Sequence, residues 1–199
     1  MISDSRMTDY LHSLESGQGC LLDEIEKKAV RDRIPIIRRE TAALLRTLIY
    51  ASKPGKILEI GTAVGYSALM MCQAMPQNGR IVTIEKYEKR IEEADHILDT
   101  LSHQHFDLIF MDAAKGQYLG WLPKILPMME PGALLISDNV LQDGDVIQSR
   151  FAIERRNRTI HSRMREYLYE LKHCPLLETA ILTVGDGVAL SARKERIDL

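Results

Sequence analysis

The sequence predicts an α/β fold, in which a mostly parallel sheet carries helices on both faces. From residue 56 onward, short apolar runs alternate with segments of helical periodicity. A glycine turn joins the first run to the next segment, and polar side chains directly follow two later runs. Strands that alternate with helices lie parallel, because each helix returns the chain to the same end of the sheet. We expect one domain over residues 1–199.

The composition is that of an ordinary globular protein with a sizeable core. Hydrophobic residues make up 45% of the 199 residues and charged residues 27%. The net charge of −2 argues against binding polyanions over the whole surface, although a local basic patch is compatible with it. Three separated cysteines without a CxxC pair indicate neither a disulfide framework nor a zinc site. No segment has the apolar length of a signal peptide or membrane span, so we expect a cytoplasmic protein without a membrane partner.

The first 52 residues predict helices that precede the sheet. Apolar residues recur at helical spacing within residues 10–14, 21–31 and 36–51. The sequence Lys53-Pro54-Gly55 then ends the last of these helices.

The region 56–199 contains the predicted sheet. Strands are expected at residues 56–61, 80–85, 106–111 and 133–137, with helices at 66–75, 88–100 and 118–126. The tail predicts a long helix at about 153–173 and two strands at 178–184 and 187–192. Gly185-Asp186 between these last strands is typical of a two-residue hairpin turn.

The glycine turn LEIGTAVGYS (58–67) predicts a ligand site. Gly61 and Gly65 allow the backbone to approach a ligand closely, and the helix that follows presents free N–H groups. Glu85 ends the next strand, where it could accept hydrogen bonds from the hydroxyls of a ribose. Glycine turns after strands also occur for structural reasons alone, but together with Glu85 this one favours a nucleoside derivative. The spacing is not the GxGxxG of dinucleotide folds.

Four polar residues follow the two later strands. Asp112 and Lys115 come after FDLIFM, and Asp138 and Asn139 come after ALLIS. Neighbouring parallel strands end at the same edge of a sheet, so these side chains should converge on one crevice. Carboxylate and amide oxygens suit Mg²⁺. A lysine beside such an ion can orient or deprotonate an acidic hydroxyl.

The segment 150–168 has a marked excess of arginine. It contains two glutamates and six arginines: Arg150, Arg155, Arg156, Arg158, Arg163 and Arg165. Arginine suits phosphate contacts, and we expect Arg155, Arg156 and Arg158 to bind an RNA backbone. The alternative is an amphipathic helix with an ordinary solvated face.

Five motifs, taken in order, resemble a known family. LEIGTAVGYS, IVTIEKYEKR, FDLIFMDAAKGQY, LLISDNVL and VGDGVALS are similar to the class I S-adenosylmethionine-dependent O-methyltransferases of the catechol O-methyltransferase type. The resemblance runs from about residue 36 to the C-terminus and implies a Rossmann-like fold. Within this family the chain most resembles the bacterial tRNA 5-hydroxyuridine methyltransferases, because of the arginine-rich segment and the ending TAILTVGDGVALS.

The resemblance also implies roles for individual residues. It implies a Mg²⁺ site formed by Asp112, Asp138 and Asn139, with Lys115 beside the acceptor hydroxyl and Asp112 also near the methionine end of the cofactor. The positions that match S-adenosylmethionine contacts are Ile37, Gly61, Gly65, Ser67, Glu85 and Asp112. It further implies a homodimer built on the N-terminal helices.

The acceptor expected from this resemblance is 5-hydroxyuridine at the wobble position of tRNA. Its 5-hydroxyl lies beside the 4-carbonyl, so the base offers a metal the same bidentate shape as a catechol. The alternative is a small catechol or phenylpropanoid. A non-catalytic RNA-binding protein that has lost its cofactor site is a third interpretation. A nicotinamide oxidoreductase fits least well, because its glycine spacing differs.

The sequence departs from the family between Glu85 and Asp107. The family pattern places a helix, an edge strand and a second helix there, but only residues 86–106 are available. Roughly twenty residues are missing near Ile97-Leu98, since one crossover alone needs about a dozen. Either the chain carries a true deletion, or a segment of the native protein is absent from this sequence, and we favour the second. The resemblance places adenine contacts in that segment.

Overall fold

The computed structural model describes residues 5–85 and 91–195. Residues 88–90, where the sequence predicts the start of a helix, lie outside these ranges. The helices are α1 (Ser5–Ser13), α2 (Cys20–Asp32), α3 (Arg39–Ser52), α4 (Tyr66–Ala74), α5 (Ile91–Leu101), α6 (Tyr118–Ile125) and α7 (Arg158–His173). The strands are β1 (Lys56–Ile60), β2 (Arg80–Ile84), β3 (Phe106–Met111), β4 (Met129–Ser137), β5 (Leu177–Leu182) and β6 (Val188–Arg193).

The six strands form one mixed sheet in the order β2-β1-β3-β4-β6-β5. The first four strands of this order are parallel, and β6 and β5 add an antiparallel pair. The chain runs from β1 outward to β2 and then returns across β1 to β3. This reversal opens a crevice beyond the carboxyl ends of β1 and β3, the usual ligand position in such sheets.

Alternate strand residues face opposite helical layers. Ile57 of β1 packs in a cluster with Leu45 of α3 and Met70 of α4. Leu58, the next residue, belongs to the other cluster, which contains Trp121 of α6 and residues of α5 and α7. The two faces are therefore both covered, and the predicted fold class is confirmed. Burial of both faces explains why the strands read as continuous apolar runs.

Several predicted boundaries were wrong, and β4 begins at Met129, four residues earlier than predicted. The β5–β6 connection spans residues 183–187 and is not a two-residue hairpin. Helix α7 begins at Arg158, five residues later than predicted, after a short 3₁₀ helix at Arg155–Asn157. At the start of this helix, the Arg158 side chain donates hydrogen bonds back to the carbonyl oxygens of Ile153 and Phe151.

Strand β2 lies at one edge of the sheet. Among the described residues it pairs with β1 alone, and α5 leads from it towards β3 without a further strand. The segment expected near Ile97-Leu98 stays a prediction. None of the described helices combines the length and apolarity needed to cross a bilayer.

Candidate active site

Three backbone hydrogen bonds align the ends of the central strands. Gly61 N–H donates to Ile84 O (2.9 Å), Asp112 N–H to Ile60 O (3.0 Å) and Asp138 N–H to Met111 O (3.0 Å). The first residue after each strand therefore continues the ladder of the sheet. This continuation places Gly61, Asp112 and Asp138 side by side at the crevice.

Gly61 is required by this close approach. Its φ is +111°, and a Cβ at this position would lie 1.9 Å from the carbonyl oxygen of Asp112. A side chain is excluded both by backbone conformation and by space. Gly65, with φ of +79°, precedes the first residue of α4 and has nothing within 4 Å of an ideal Cβ. The predicted glycine turn thus has one tightly packed glycine and one that only shapes the backbone.

A buried carboxylate supports this turn from below. Glu59 accepts hydrogen bonds from Ser67 Oγ (2.5 Å) and Thr83 Oγ1 (2.6 Å). Burial raises the pKa of Glu59, and these two hydrogen bonds oppose the shift. Because the Ser67 hydroxyl donates its one proton to Glu59, only its oxygen lone pairs remain for a ligand.

Glu85 holds the tip of the glycine turn. Its Oε2 accepts a hydrogen bond from Ala63 N–H at 2.6 Å, which joins the end of β2 to the turn after β1. The side chain also lines the main cavity of the site. One carboxylate oxygen is thus engaged by the backbone, and the role of the other as an acceptor for ribose hydroxyls stays a prediction.

Asp138 is fully buried at the end of β4. Its Oδ1 accepts a hydrogen bond from Asn139 N–H (2.7 Å), and Thr41 Oγ1 lies at 3.5 Å. Its Oδ2 is buried without any hydrogen-bond partner among the described residues. Burial, and secondarily the charge of Asp112, raises the pKa of Asp138 to about 7. A buried carboxylate oxygen without a partner is costly, so this site calls for a cation or a proton.

Asp112 and Lys115 complete the polar group. Burial raises the pKa of Asp112, while the positive charge of Lys115 opposes that shift. Lys115 begins a short 3₁₀ helix (Lys115–Gln117), and its Nζ lies 3.8 Å from Asp186 Oδ2. Asp186 is buried and also accepts a hydrogen bond from the backbone N–H of Asp143. Lys115 is therefore held over the crevice by a carboxylate that sequence reasoning did not select.

Tyr118 ties these strand ends together. Its buried hydroxyl donates to the carbonyl oxygens of Met111 and Asp138, each at 3.2 Å, and accepts from Ala113 N–H at 3.2 Å. Burial raises its pKa far above the usual value, so the hydroxyl remains protonated. The residue is a structural clamp and not part of the cavity wall.

The main cavity has a volume of about 600 Å³. It brings together eight of the residues selected from the sequence: Ile37, Gly61, Ser67, Glu85, Asp112, Lys115, Asp138 and Asn139. Gly65 is not in its wall. Arg38 is, and its guanidinium pairs with Asp143 at 3.0 Å. The glycine turn lines one part of this cavity and the carboxylates line another.

The donor set fits a hard divalent cation. No cluster of three His, Cys, Asp or Glu side chains suited to a metal occurs in residues 5–85 and 91–195. The candidate ligands are instead two carboxylates and the Asn139 amide, and oxygen donors of this kind suit Mg²⁺. The unpartnered Oδ2 of Asp138 is the observation in the structure that favours a bound cation.

The predicted RNA-contacting arginines lie outside this cavity. Arg155 and Arg156 are exposed, and Arg156 pairs with Glu154 at 2.8 Å. Arg158 is half-buried by its hydrogen bonds to the preceding turn. Two further members of the segment, Arg163 and Arg165, donate to the carbonyl oxygens of Gly116 and Val146. Three of the six arginines in this segment thus form hydrogen bonds that stabilise local structure.

Fold and site together define a Rossmann-like, S-adenosylmethionine-dependent methyltransferase. The chain belongs to the O-methyltransferase family, whose model matches residues 12–99 and residues 85–194. These two matches overlap at residues 85–99, in the region where the sequence analysis predicts a departure from the family pattern.

Named relatives agree with this assignment. The chain is 32% identical to a caffeoyl-CoA O-methyltransferase of Petroselinum crispum, over 68% of this chain and 67% of that protein. It is 33% identical to a catechol O-methyltransferase of Niastella koreensis, over 52% of this chain and only 57% of the relative. The structure of a methyltransferase from Podospora anserina with bound S-adenosylhomocysteine superposes with a TM-score of 0.79 at 25% identity, over 96% of this chain and 95% of that one.

Proposed function

We propose that this protein transfers a methyl group from S-adenosylmethionine to one of two vicinal oxygens of a small catechol-type molecule, with Mg²⁺ as cofactor. The observation that carries the proposal is the pair of buried carboxylates at the ends of β3 and β4, with the unpartnered Asp138 Oδ2 and with Lys115 nearby. Two of the named relatives are a catechol and a caffeoyl-CoA O-methyltransferase, which supports a small phenolic acceptor over RNA.

S-adenosylmethionine supplies an electrophilic methyl group, and a bound Mg²⁺ acidifies and orients a chelated diol. Asp112, Asp138 and Asn139 would hold the metal. Because Lys115 is held near Asp186, its ammonium would lie beside the acceptor oxygen and stabilise the negative charge that develops there.

The other selected residues would hold the cofactor. The turn at Gly61 would allow the backbone to lie close to the cofactor, and Glu85 retains one oxygen for ribose hydroxyls. Ile37 supplies a buried apolar wall, and Ser67 can only accept a hydrogen bond from the ligand. These contacts would orient the methyl group towards the carboxylate end of the crevice.

The test is methyl transfer from labelled S-adenosylmethionine to catechol, with Mg²⁺ and with chelator. We expect product with Mg²⁺ and none with chelator. Asp138→Asn and Lys115→Met should each lower kcat/KM by about 100-fold or more. The matched surface variants Asp99→Asn and Lys124→Met, which break an ion pair remote from the cavity, should retain activity. Equal activity in chelator would contradict the metal, and absence of product would contradict the acceptor class.

A second candidate acceptor is tRNA that carries 5-hydroxyuridine at the wobble position. The exposure of Arg155 and Arg156, next to Phe151 with an exposed fraction of 84%, supports it, because exposed arginine and aromatic side chains bind RNA. Replacing Arg155, Arg156 and Arg158 by Gln should abolish tRNA methylation and spare catechol. If tRNA is methylated equally well by this variant, the arginine surface is not the RNA site.

We also propose a homodimer formed through α1 and α2. Large apolar side chains are exposed on and beside these helices: Leu14, directly after α1, is 64% exposed, and Val30 of α2 is 70% exposed. Light scattering should give twice the chain mass for the protein and the single-chain mass for the double variant Leu14→Glu, Val30→Glu. A monomeric wild-type protein would contradict this proposal.

A further inference from the structure

A buried histidine near the site has no role in the chemistry proposed so far. His161 lies in α7 with only 3% of its surface exposed, and neither ring nitrogen has a hydrogen-bond partner among the described residues. A buried imidazole without partners is unfavourable, because both nitrogens lose their hydrogen bonds to water. An arrangement of this kind is expected where a ligand supplies the missing partner.

His161 lines a side cavity that adjoins the main cavity. This side cavity has a volume of about 270 Å³, and its polar wall includes Lys115, Asp143, Asp145, Asn157, His161 and Asp186. Three of these residues, Lys115, Asp143 and Asp186, also line the main cavity. The side cavity is therefore reached from the acceptor end of the site, where Lys115 lies.

His161 also borders a second depression, with Arg150 and Arg165. That depression shares no lining residue with the main cavity, whereas the side cavity shares three. We therefore consider the side cavity the route to His161. Contact between α7 and the turn at Lys115 supports this, since Arg163 donates to Gly116 O at 2.9 Å. A ligand in the acceptor site thus approaches His161 from the side of Lys115.

We propose that His161 determines acceptor specificity by hydrogen-bonding a polar substituent of the acceptor, on the part of the molecule remote from the reacting oxygens. This inference rests on the proposed catechol-type function. If Mg²⁺ held by Asp112 and Asp138 chelates the two oxygens of the acceptor ring, the ring would extend its substituent past Lys115 into the side cavity. Asn157 offers a second polar side chain there.

The charges of the side cavity restrict the kind of substituent. Asp143, Asp145 and Asp186 carry three negative charges against the single positive charge of Lys115, which is already paired with Asp186. Arg38 pairs with Asp143, whereas Asp145 lines the cavity without an ion-pair partner among the residues that the structure describes. A neutral or cationic substituent, such as a hydroxymethyl or aminomethyl group, fits this field, and a carboxylate does not.

The test compares catechols that differ only at position 4. Wild-type kcat/KM should be about tenfold higher for 3,4-dihydroxybenzyl alcohol than for 4-methylcatechol, which lacks the hydrogen bond, and lowest for 3,4-dihydroxybenzoate. In His161→Leu the alcohol-to-methyl ratio should fall to about one while kcat for catechol is kept. His161→Gln should restore part of the ratio, and the control His173→Leu, at the exposed end of α7, should leave it unchanged. An unchanged ratio in His161→Leu overturns the inference.

A second measurement does not depend on turnover. In protein with ¹⁵N-labelled histidine, 3-hydroxybenzyl alcohol should shift the His161 ring nitrogens, and 3-methylphenol should not. If no catechol is methylated, the proposed function fails and this measurement decides the inference alone. The same measurement decides the inference if the His161 variants do not fold, because it uses the unsubstituted protein. The expected shift supports binding at His161, and its absence overturns it.

Discussion

At the scale of single residues, Asp138 is the buried carboxylate whose ionisation is least favourable in the site. Its carboxylate has one oxygen bound to Asn139 N–H and the other buried without a partner. The neighbouring Asp112 adds like charge, and burial raises the pKa of both groups. The metal-free protein is therefore strained by its own candidate metal ligands.

This strain predicts a pH dependence of stability. Folded Asp138 keeps its proton up to about pH 7, whereas in the unfolded chain it releases it near 3.8. The folded state binds more protons in this window, so the free energy of unfolding should fall as the pH rises from about 4 to 7, by roughly 2 to 4 kcal/mol. Urea unfolding in chelator at pH 4.5 and 7.5 measures this loss. Asp138→Asn should reduce it, and an identical pH profile in the variant would contradict the assignment.

The two turn glycines should respond differently to substitution. Gly61→Ala places a methyl group 1.9 Å from the Asp112 carbonyl oxygen and should cost about 3 kcal/mol or more, with loss of cofactor binding. Gly65→Ala meets no neighbouring atom and should cost only about 1 kcal/mol from its positive φ. Denaturant unfolding and calorimetry with S-adenosylhomocysteine measure both effects. Equal losses in the two variants would refute the close-packing argument.

Residues that follow strands directly could be predicted from the strand pattern, and Ile37 and Ser67 from the family resemblance. Other residues brought in from helices and turns could not. Asp112 and Asp138 are placed by strand ends, and the cavity contains both. Thr41 and His161 come from helices whose packing against the sheet has no local sequence signal. Asp186 lies within the recognised VGDGVALS motif, but the turn around it was read as a simple hairpin.

At the scale of elements, Tyr118 couples the turn after β3 to the end of β4. Tyr118→Phe leaves one N–H and two C=O groups without their hydroxyl partner and should cost about 2 kcal/mol. The matched control is Tyr167→Phe, which removes a buried hydroxyl with one hydrogen-bond partner among the described residues, Ser137 Oγ at 2.6 Å, and should cost less. Methyl transfer should fall in the Tyr118 variant alone, because of these two tyrosines it is Tyr118 whose hydroxyl bonds the Asp138 backbone carbonyl. A larger activity loss in the Tyr167 variant would contradict this role.

Element bounds were predicted best where burial fixes both faces. β3 matches its predicted range, residues 106–111, because every position but Asp107 is buried. The β5–β6 connection was predicted too short, since Asp186 has its side chain turned to Lys115 and to the Asp143 backbone and so opens the turn. Helix α7 was predicted to start too early, because the composition of residues 153–157 does not distinguish a helix from the 3₁₀ turn found there.

At the scale of the whole molecule, the short connection from β2 to β3 bears on cofactor affinity. The family resemblance places adenine contacts in the missing segment. We expect the 199-residue chain to bind S-adenosylhomocysteine at least about tenfold more weakly than the Podospora anserina methyltransferase, a difference of about 1.4 kcal/mol. Parallel calorimetric titrations measure both. Equal affinity would mean that other residues supply these contacts.

With the same short connection, β2 is an edge strand of the described sheet. Strand β2 pairs with β1, and no other described strand pairs with its outer backbone groups. Such borders act as templates for edge-to-edge joining and precipitation. Only its five-residue length and the exposed Arg80 at its start oppose this here. If the native protein contains the segment predicted near Ile97-Leu98, a strand in it would cover β2 and prevent the sheets of two molecules from pairing at this edge.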